Sequence, residues 1–382
     1  MFIRLSLILF VLLSVVSFGA ITHAAGSEPE TEIGLVLESV GPITFGPDNI
    51  LFVADNQAAK IYALDVETLV SNTTLGLKNI MGIDQQIAAL LGTDVREIAI
   101  TDLAISPKSR NAFIALSRGR GNNAQPVLIR VDGSGQLNVI SLRDVHYTML
   151  EIPNPPQANP DSESGQFTQR RDGSWIEGRA RMHSTTDMAY IDGKLFIAGL
   201  SNDEFSSKLR SVSFPFDQAN EGTSVEIWHA AHGQFETQSP VYTFVPYQLN
   251  GEQNLIAGYL CTPLVKFPVS DLKPGNKVMG KTIAELGNGN RPLDMIVYHK
   301  NGSDYLLMSN TSRGVMKIPT DGFSSANEID EAVARGETAG IEYETITKMS
   351  GVEQLDLFDT EHAIVIKRND VGVANLEIIS LP

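Results

Sequence analysis

The segment Trp228-His229-Ala230-Ala231-His232-Gly233-Gln234-Phe235-Glu236 holds the sharpest local concentration of reactive side chains. His229 and His232 lie three residues apart, and Glu236 follows four residues later. With His183 and the single Cys261, they offer imidazole, carboxylate and thiolate donors, a set that suits zinc or copper. The same pattern also arises from hydrogen-bonded structural histidines, and a lone thiol also serves as a small buried apolar group. A second set is acidic. Asp102, Asp187 and Asp294 recur at one position of a repeat, and three carboxylates at one rim suit a hard cation such as Ca²⁺. Alternatively, each recurrent Asp accepts hydrogen bonds from backbone N–H groups of its neighbour in the repeat. A third is the loop Ser117-Arg118-Gly119-Arg120-Gly121-Asn122, whose guanidinium and N–H groups suit a carboxylate or phosphate, or which is simply a flexible turn. No Gly-x-Ser-x-Gly elbow, His-Glu-x-x-His helix, phosphate-binding loop or dinucleotide fingerprint occurs, so no motif names a reaction.

The elements that must position these groups are short strands in a repeat. Asp187-Met188-Ala189-Tyr190-Ile191 is followed by Asp192-Gly193 and then Lys194-Leu195-Phe196-Ile197-Ala198-Gly199, a hairpin signal. Comparable pairs begin near Pro42, Asp102, Val241, Asp294 and Gln354. About six sheet units of this length predict an all-β, six-bladed β-propeller. The surplus strand Ile33–Leu37 at the start and the strand deficit after Gln354 predict that the N-terminal strand closes the last blade. Asp84–Leu91 reads as a short helical insertion, with Asp84 as its cap and Gly92 ending it. The proline-rich polar stretch 143–183 reads as one long loop insertion on the mouth face.

A propeller gathers onto one face the links between blades and the loops between second and third strands. His183, His229, His232, Glu236 and Arg291 fall in such links. Arg118, Arg120, Asn202, Cys261 and Asn310 fall in such loops. Arg118, Arg120, Asn202, Arg291 and Asn310 are the expected contacts of a small ligand at the mouth of the central channel. Asp102, Asp187, Asp294, His183, His229, His232, Glu236 and Cys261 are the expected metal ligands.

Arg4, an apolar run from Leu5 to Phe18, and the small residues before Ala25 read as a signal peptide over residues 1–25. The run is too short for a comfortable membrane span. The expectation is a periplasmic or secreted protein with residues 26–382 forming one propeller domain. One cysteine excludes an internal disulfide framework. A formal net charge of −16 argues against nucleic acid and anionic membranes as partners.

Val40-Gly41-Pro42-Ile43-Thr44-Phe45, Leu51-Phe52-Val53-Ala54-Asp55 and Ile61-Tyr62-Ala63-Leu64-Asp65 together resemble a first blade of the NHL-repeat and SMP-30/gluconolactonase or paraoxonase-like propellers. Asn290-Arg291-Pro292-Leu293-Asp294-Met295 is similar to a strand start of that superfamily. The resemblance implies a channel Ca²⁺ held by Glu38, Asp187 and Asp294, polarising a carbonyl and activating water in a lactonase or esterase. Leu293 stands where that family has Asn, and Asp294 where it has Gly. Three functional readings follow: a propeller binding a small ligand or a divalent metal (Ca, or Cu/Zn), a calcium-dependent hydrolase, and a scaffold whose rim docks a partner protein.

Overall fold

The computed structural model describes residues 32–66, 76–158, 166–169, 175–178 and 180–382. The proposed signal peptide lies outside them. Six sheets pack face to face around an axis, as the repeat predicts. Blade one is built from Ile43–Phe45, Ile50–Asp55 and Lys60–Asp65, and blade two from Ile98–Ile105, Ala112–Arg118, Gln125–Val131 and Leu137–Val139. Blade three runs Asp187–Ile191, Lys194–Leu200, Ser207–Ser213 and Thr223–His229. Blade four runs Thr243–Leu249, Glu252–Gly258, Pro263–Pro268 and Lys281–Glu285. Blade five runs Pro292–Lys300, Ser303–Asn310, Val315–Pro319 and Glu344–Ile346. Blade six is Val352–Leu357, His362–Arg368 and Ala374–Ser380.

The second strand of each blade is covered on both faces by neighbouring blades, so it must be apolar on both. Leu51–Ala54, Ala112–Leu116, Leu255–Ala257, Leu306–Met308 and Ala363–Ile366 are accordingly buried without interruption. The Asp192-Gly193 turn takes left-handed backbone at both positions (φ 48° and 82°), as a tight hairpin between right-twisted strands requires.

The order of blades around the ring differs from their order in the chain. Apolar cores join blade two to blade six, blade one to blade two, and blade one to blade three. The ring therefore reads six, two, one, three, four, five. Blade one receives its fourth strand only after blade two is complete, when His146–Glu151 pairs with Lys60–Asp65. This corrects two expectations. The stretch 143–183 is not a plain loop, because its start is a blade strand and Gln166–Gln169 pairs with Trp175–Gly178. The N-terminal strand does not close the last blade: Glu32–Ile33 pairs with His146–Glu151 at the outer edge of blade one. Ile80 instead bridges Leu376 in blade six, just ahead of the helix Ile83–Leu91. Gly92 ends that helix in the left-handed region (φ 62°), as expected. Asp84 is not its cap: it lies in the first turn and accepts the Ala374 N–H at 3.1 Å, tying the helix to blade six.

Four inner-strand aspartates staple the ring. Each accepts the next N–H of its own strand on one oxygen and an N–H of the neighbouring blade on the other. Asp102 takes Leu103 and Ile43, Asp187 takes Met188 and Phe244, and Asp294 takes Met295 and Leu355, all at 2.7–2.8 Å. Asp356, which the repeat alignment misses, takes Leu357 and Ile105, both at 2.7 Å. Of the two readings of the recurrent aspartates, the staple is the one these contacts display.

Burial, opposed by the N–H bonds, raises Asp187 to about 7 and Asp356 to about 6. Burial and the repulsion of the other carboxylates put Asp102 and Asp294 well above the usual carboxylate range. An unfolded Asp titrates near 3.9, so the folded ring holds these protons more tightly than the unfolded chain does. The stability they confer is fully present below about pH 4 and is lost as pH rises through the folded values near 6 and 7. The thermal midpoint of the metal-free protein should thus fall between pH 5 and about 8. Asp187→Asn, which cannot ionise, should flatten that slope in thermal unfolding; an unchanged slope would contradict this origin.

Candidate metal site at the seam of blades three and four

His229 is the last residue of the outer strand of blade three. The chain then turns, with the N–H groups of His232 and Gly233 on the His229 carbonyl at 3.1 and 2.8 Å. It returns as Gln234–Glu236, which pairs antiparallel to Ile227–His229. This turn presents His229 and His232 side by side, with ring centroids 3.8 Å apart and planes tilted by 33°. Trp228 and Phe235 stack edge-on at 5.0 Å across the same pair of strands and fix its register.

Cys261 arrives from blade four, in the connection between Glu252–Gly258 and Pro263–Pro268. Cys261 and Thr262 both have left-handed backbone, at φ 63° and 60°. That conformation is unfavourable for a side chain with a Cβ, most of all for a β-branched one. It is held by bonds from the Cys261 N–H to the Asn290 carbonyl at 2.7 Å and from the Thr262 N–H to the Tyr259 carbonyl at 2.9 Å. Two strained residues in succession at the one thiol of the chain mark a place where the surroundings impose the geometry.

Ligand atoms of His229, His232 and Cys261 all lie within 4.8 Å of one another. Cys261 Sγ is 3.8 Å from His232 Nε2. Glu236 sits behind the imidazoles: Oε1 is 2.6 Å from His232 Nδ1, Oε2 is 2.9 Å from His229 Nδ1, and the Ser239 hydroxyl donates to Oε2. The His229 contact is poorly aligned, so neither ring nitrogen of this buried residue makes a hydrogen bond of normal geometry. His229 and Cys261 are buried, while the His232 side chain is 34% exposed and gives the site its opening.

The electrostatics follow from this packing. Burial disfavours the Cys261 thiolate, but the two imidazoles and the Gly289 N–H outweigh it and bring the thiol down to about 6. Burial likewise opposes charge on His229, yet Cys261 and Glu236 raise it to about 9; the same two partners raise His232 to about 10. Glu236, despite burial, is held far below the usual carboxylate range by both histidines. The metal-free site is thus a thiolate and a carboxylate interleaved with two imidazolium ions.

The remaining expected residues scatter over other sectors. His183 packs its ring against Tyr242, 6.0 Å between centroids, and is not in the cluster of three. Asp102, Asp187 and Asp294 line the axis as staples. Glu38 is exposed in the link before blade one, its N–H on the Asp55 carboxylate at 2.7 Å. Arg120 donates to the carbonyls of Arg96 and Ile98 at 2.7–3.2 Å, which spends its guanidinium on the protein itself. Arg118 ends the second strand of blade two. The Asn202 backbone N–H bonds the Asn154 carbonyl at 2.8 Å, and its side chain is exposed. Arg291 lies 5.8 Å from the Tyr242 ring, and the Asn310 side chain accepts the Arg313 N–H at 2.8 Å. Arg118 and Arg120 belong to blade two, Asn202 to blade three, Arg291 to the link between blades four and five, and Asn310 to blade five, where the Thr311 N–H bonds the Arg291 carbonyl at 3.0 Å. Two further histidines pair with nearby carboxylates: His299 meets Asp304 at 2.7 Å and His362 meets Asp359 at 2.9 Å. A separate cleft of about 510 Å³, lined by Glu38, Gln57, Thr101, Ser117, Pro126 and Met182 among others, sits over blades one and two.

Fold and site together define a six-bladed β-propeller with a thiolate–imidazole cluster at one seam. No protein-family model matches the chain, and no curated protein matches it. Solved structures similar to it include extracellular domains 1–2 of Drosophila Semaphorin 1b, with TM-score 0.35, 11% identity, and coverage of 92% of this chain and 88% of that one. Another is a putative oxidoreductase (glucose dehydrogenase) from Thermus thermophilus, at TM-score 0.32 and 12% identity, covering 93% and 100%. A PQQ-bound aldose sugar dehydrogenase from Streptomyces coelicolor aligns at TM-score 0.29 and 12% identity, again covering 93% and 100%. Among the described residues, no helix is long and apolar enough to cross a membrane.

Proposed function

We propose that this is an exported β-propeller that binds one transition-metal ion, zinc or copper, through Cys261, His229 and His232. The supporting observation is the spacing of the donors. An ion with Zn–S of about 2.3 Å and Zn–N of about 2.0–2.1 Å in tetrahedral geometry separates sulfur from nitrogen by roughly 3.6 Å. Cys261 Sγ and His232 Nε2 stand 3.8 Å apart before any ion draws them in. Glu236 takes the Nδ1 side of both rings, which orients the opposite nitrogens and raises their basicity, the usual task of a carboxylate behind metal-bound histidines. The metal site belongs to the seam of blades three and four, and the axis is left to the staples.

The calcium-hydrolase reading has less support, because both oxygens of Asp187 and Asp294 are taken up by N–H groups at 2.7–2.8 Å. Equilibrium dialysis of the purified protein against Zn²⁺, Cu²⁺ and Ca²⁺ tests the proposal. One equivalent of zinc or copper, retained in excess calcium, is the expected result. Calcium alone, or no ion, would sink it.

A further inference from the structure

The donors that converge at the seam are one sulfur and two imidazoles, and among the described residues no fourth histidine, cysteine or carboxylate joins them. Glu236 takes the Nδ1 side of both rings, and Glu285 meets the backbone, accepting the Ala231 N–H at 3.3 Å. A retained structural zinc takes four protein donors, and a catalytic zinc takes three with room for water and substrate. Here His229 and Cys261 are 0% and 2% exposed, and the cleft of about 510 Å³ lies elsewhere, over blades one and two. Only the edge of the His232 ring opens the site to solvent. A substrate needs a concave pocket, whereas an electron needs no more than an exposed edge.

Building on the metal reading, we infer that the copper-loaded seam is a one-electron transfer centre, with the His232 ring as the port through which the electron passes. Two histidines and one cysteine are the donor set of copper sites that carry single electrons. Cu²⁺ and Cu⁺ favour different geometries, so fast exchange requires surroundings that hardly move between them. The seam is held in that way. Cys261 and Thr262 are fixed at φ 63° and 60°. The histidine turn is also tied to the connection between Val315–Pro319 and Glu344–Ile346 of blade five. The Val333 N–H bonds the Ala230 carbonyl at 2.9 Å, and the Trp228 indole N–H bonds the Glu331 carbonyl at 3.3 Å. In the transfer step a one-electron carrier protein gives up one electron and Cu²⁺ becomes Cu⁺; no bond to the chain forms or breaks and no proton moves. Cys261 is the one cysteine of the chain, so its thiolate has no second thiol on the chain with which to reduce the ion by forming a disulfide.

The test loads the metal-free full chain with one equivalent of Cu²⁺ in the absence of oxygen and follows visible absorption and electron paramagnetic resonance. The expected result is an intense sulfur-to-copper charge-transfer band, lost in proportion to one electron per copper as ascorbate is added and restored by ferricyanide through repeated cycles. Bound copper without that band, or bleaching that ferricyanide does not reverse, would overturn the inference. Failure of the underlying metal reading would look different, since neither zinc nor copper would then stay with the chain in dialysis. His232→Gly tests the port: it should lose the band and regain it with added imidazole, which reaches the copper from solvent. A band that persists without His232, or that imidazole does not restore, would overturn the assignment of the port. If His232→Gly does not fold, the one-electron cycle of the parent still decides for or against the centre.

Discussion

Cys261→Ser is expected to lower zinc affinity by more than about a hundredfold, beyond the 10- to 100-fold that loss of an outer partner of a metal ligand costs. The reason is the protonation state of the donor. The Cys261 thiol is brought to about 6 by His229, His232 and the Gly289 N–H in spite of its burial, so a thiolate stands ready at neutral pH. A serine hydroxyl in the same place stays protonated and is a hard, weak donor. The substitution is nearly isosteric and keeps a Cβ at φ 63°, so the strain in the turn is unaltered. The metal-free variant should consequently unfold within a few degrees of the parent, a shift on the order of 1 kcal/mol or less. Loss of binding with the fold retained, read by dialysis and thermal unfolding, separates the donor role from a packing role. A variant that binds zinc normally would show that Cys261 is only a small buried group.

The second large effect is on pH. Metal ligands must be deprotonated, and binding releases the protons they held. At pH 7 the thiol, near 6, has mostly lost its proton, while His229 near 9 and His232 near 10 both hold theirs. Two protons leave for each ion bound, so zinc affinity should rise by about a hundredfold per pH unit from pH 7 to about 9 and level off above about 10. Calorimetry in buffers of different ionisation enthalpy reads the same number directly, as about two protons released per zinc at pH 7. A flat profile would mean that the histidines are already neutral and that Glu236 does not hold them charged.

Local elements were readable in the sequence because their causes are local. The Asp192-Gly193 hairpin needs left-handed backbone, and the second strands need apolar residues on both faces; both requirements are visible in one stretch of chain. Ring order was not readable. Nothing near Lys60–Asp65 announces that its partner lies in His146–Glu151, since edge pairing is decided by what the rest of the ring leaves uncovered. The staples were half visible. Asp102-Leu103, Asp187-Met188, Asp294-Met295 and Asp356-Leu357 share a dipeptide pattern, but the alternation in Glu353-Gln354-Leu355-Asp356-Leu357 puts Gln354, two residues earlier, at the repeat position.

The thiolate–imidazole cluster was legible to the extent that topology dictates it. His229, His232 and Glu236 share one link, and Cys261 reaches them because the loop between second and third strands of the next blade emerges on the same face. His183 shares that face but sits in the link before blade three, against Tyr242.

X-ray absorption at the zinc edge of the loaded protein tests the central claim most directly. One sulfur neighbour at about 2.3 Å with imidazole nitrogens at about 2.0–2.1 Å is the coordination that Cys261, His229 and His232 require. A shell of oxygen and nitrogen alone, with no sulfur, would contradict it.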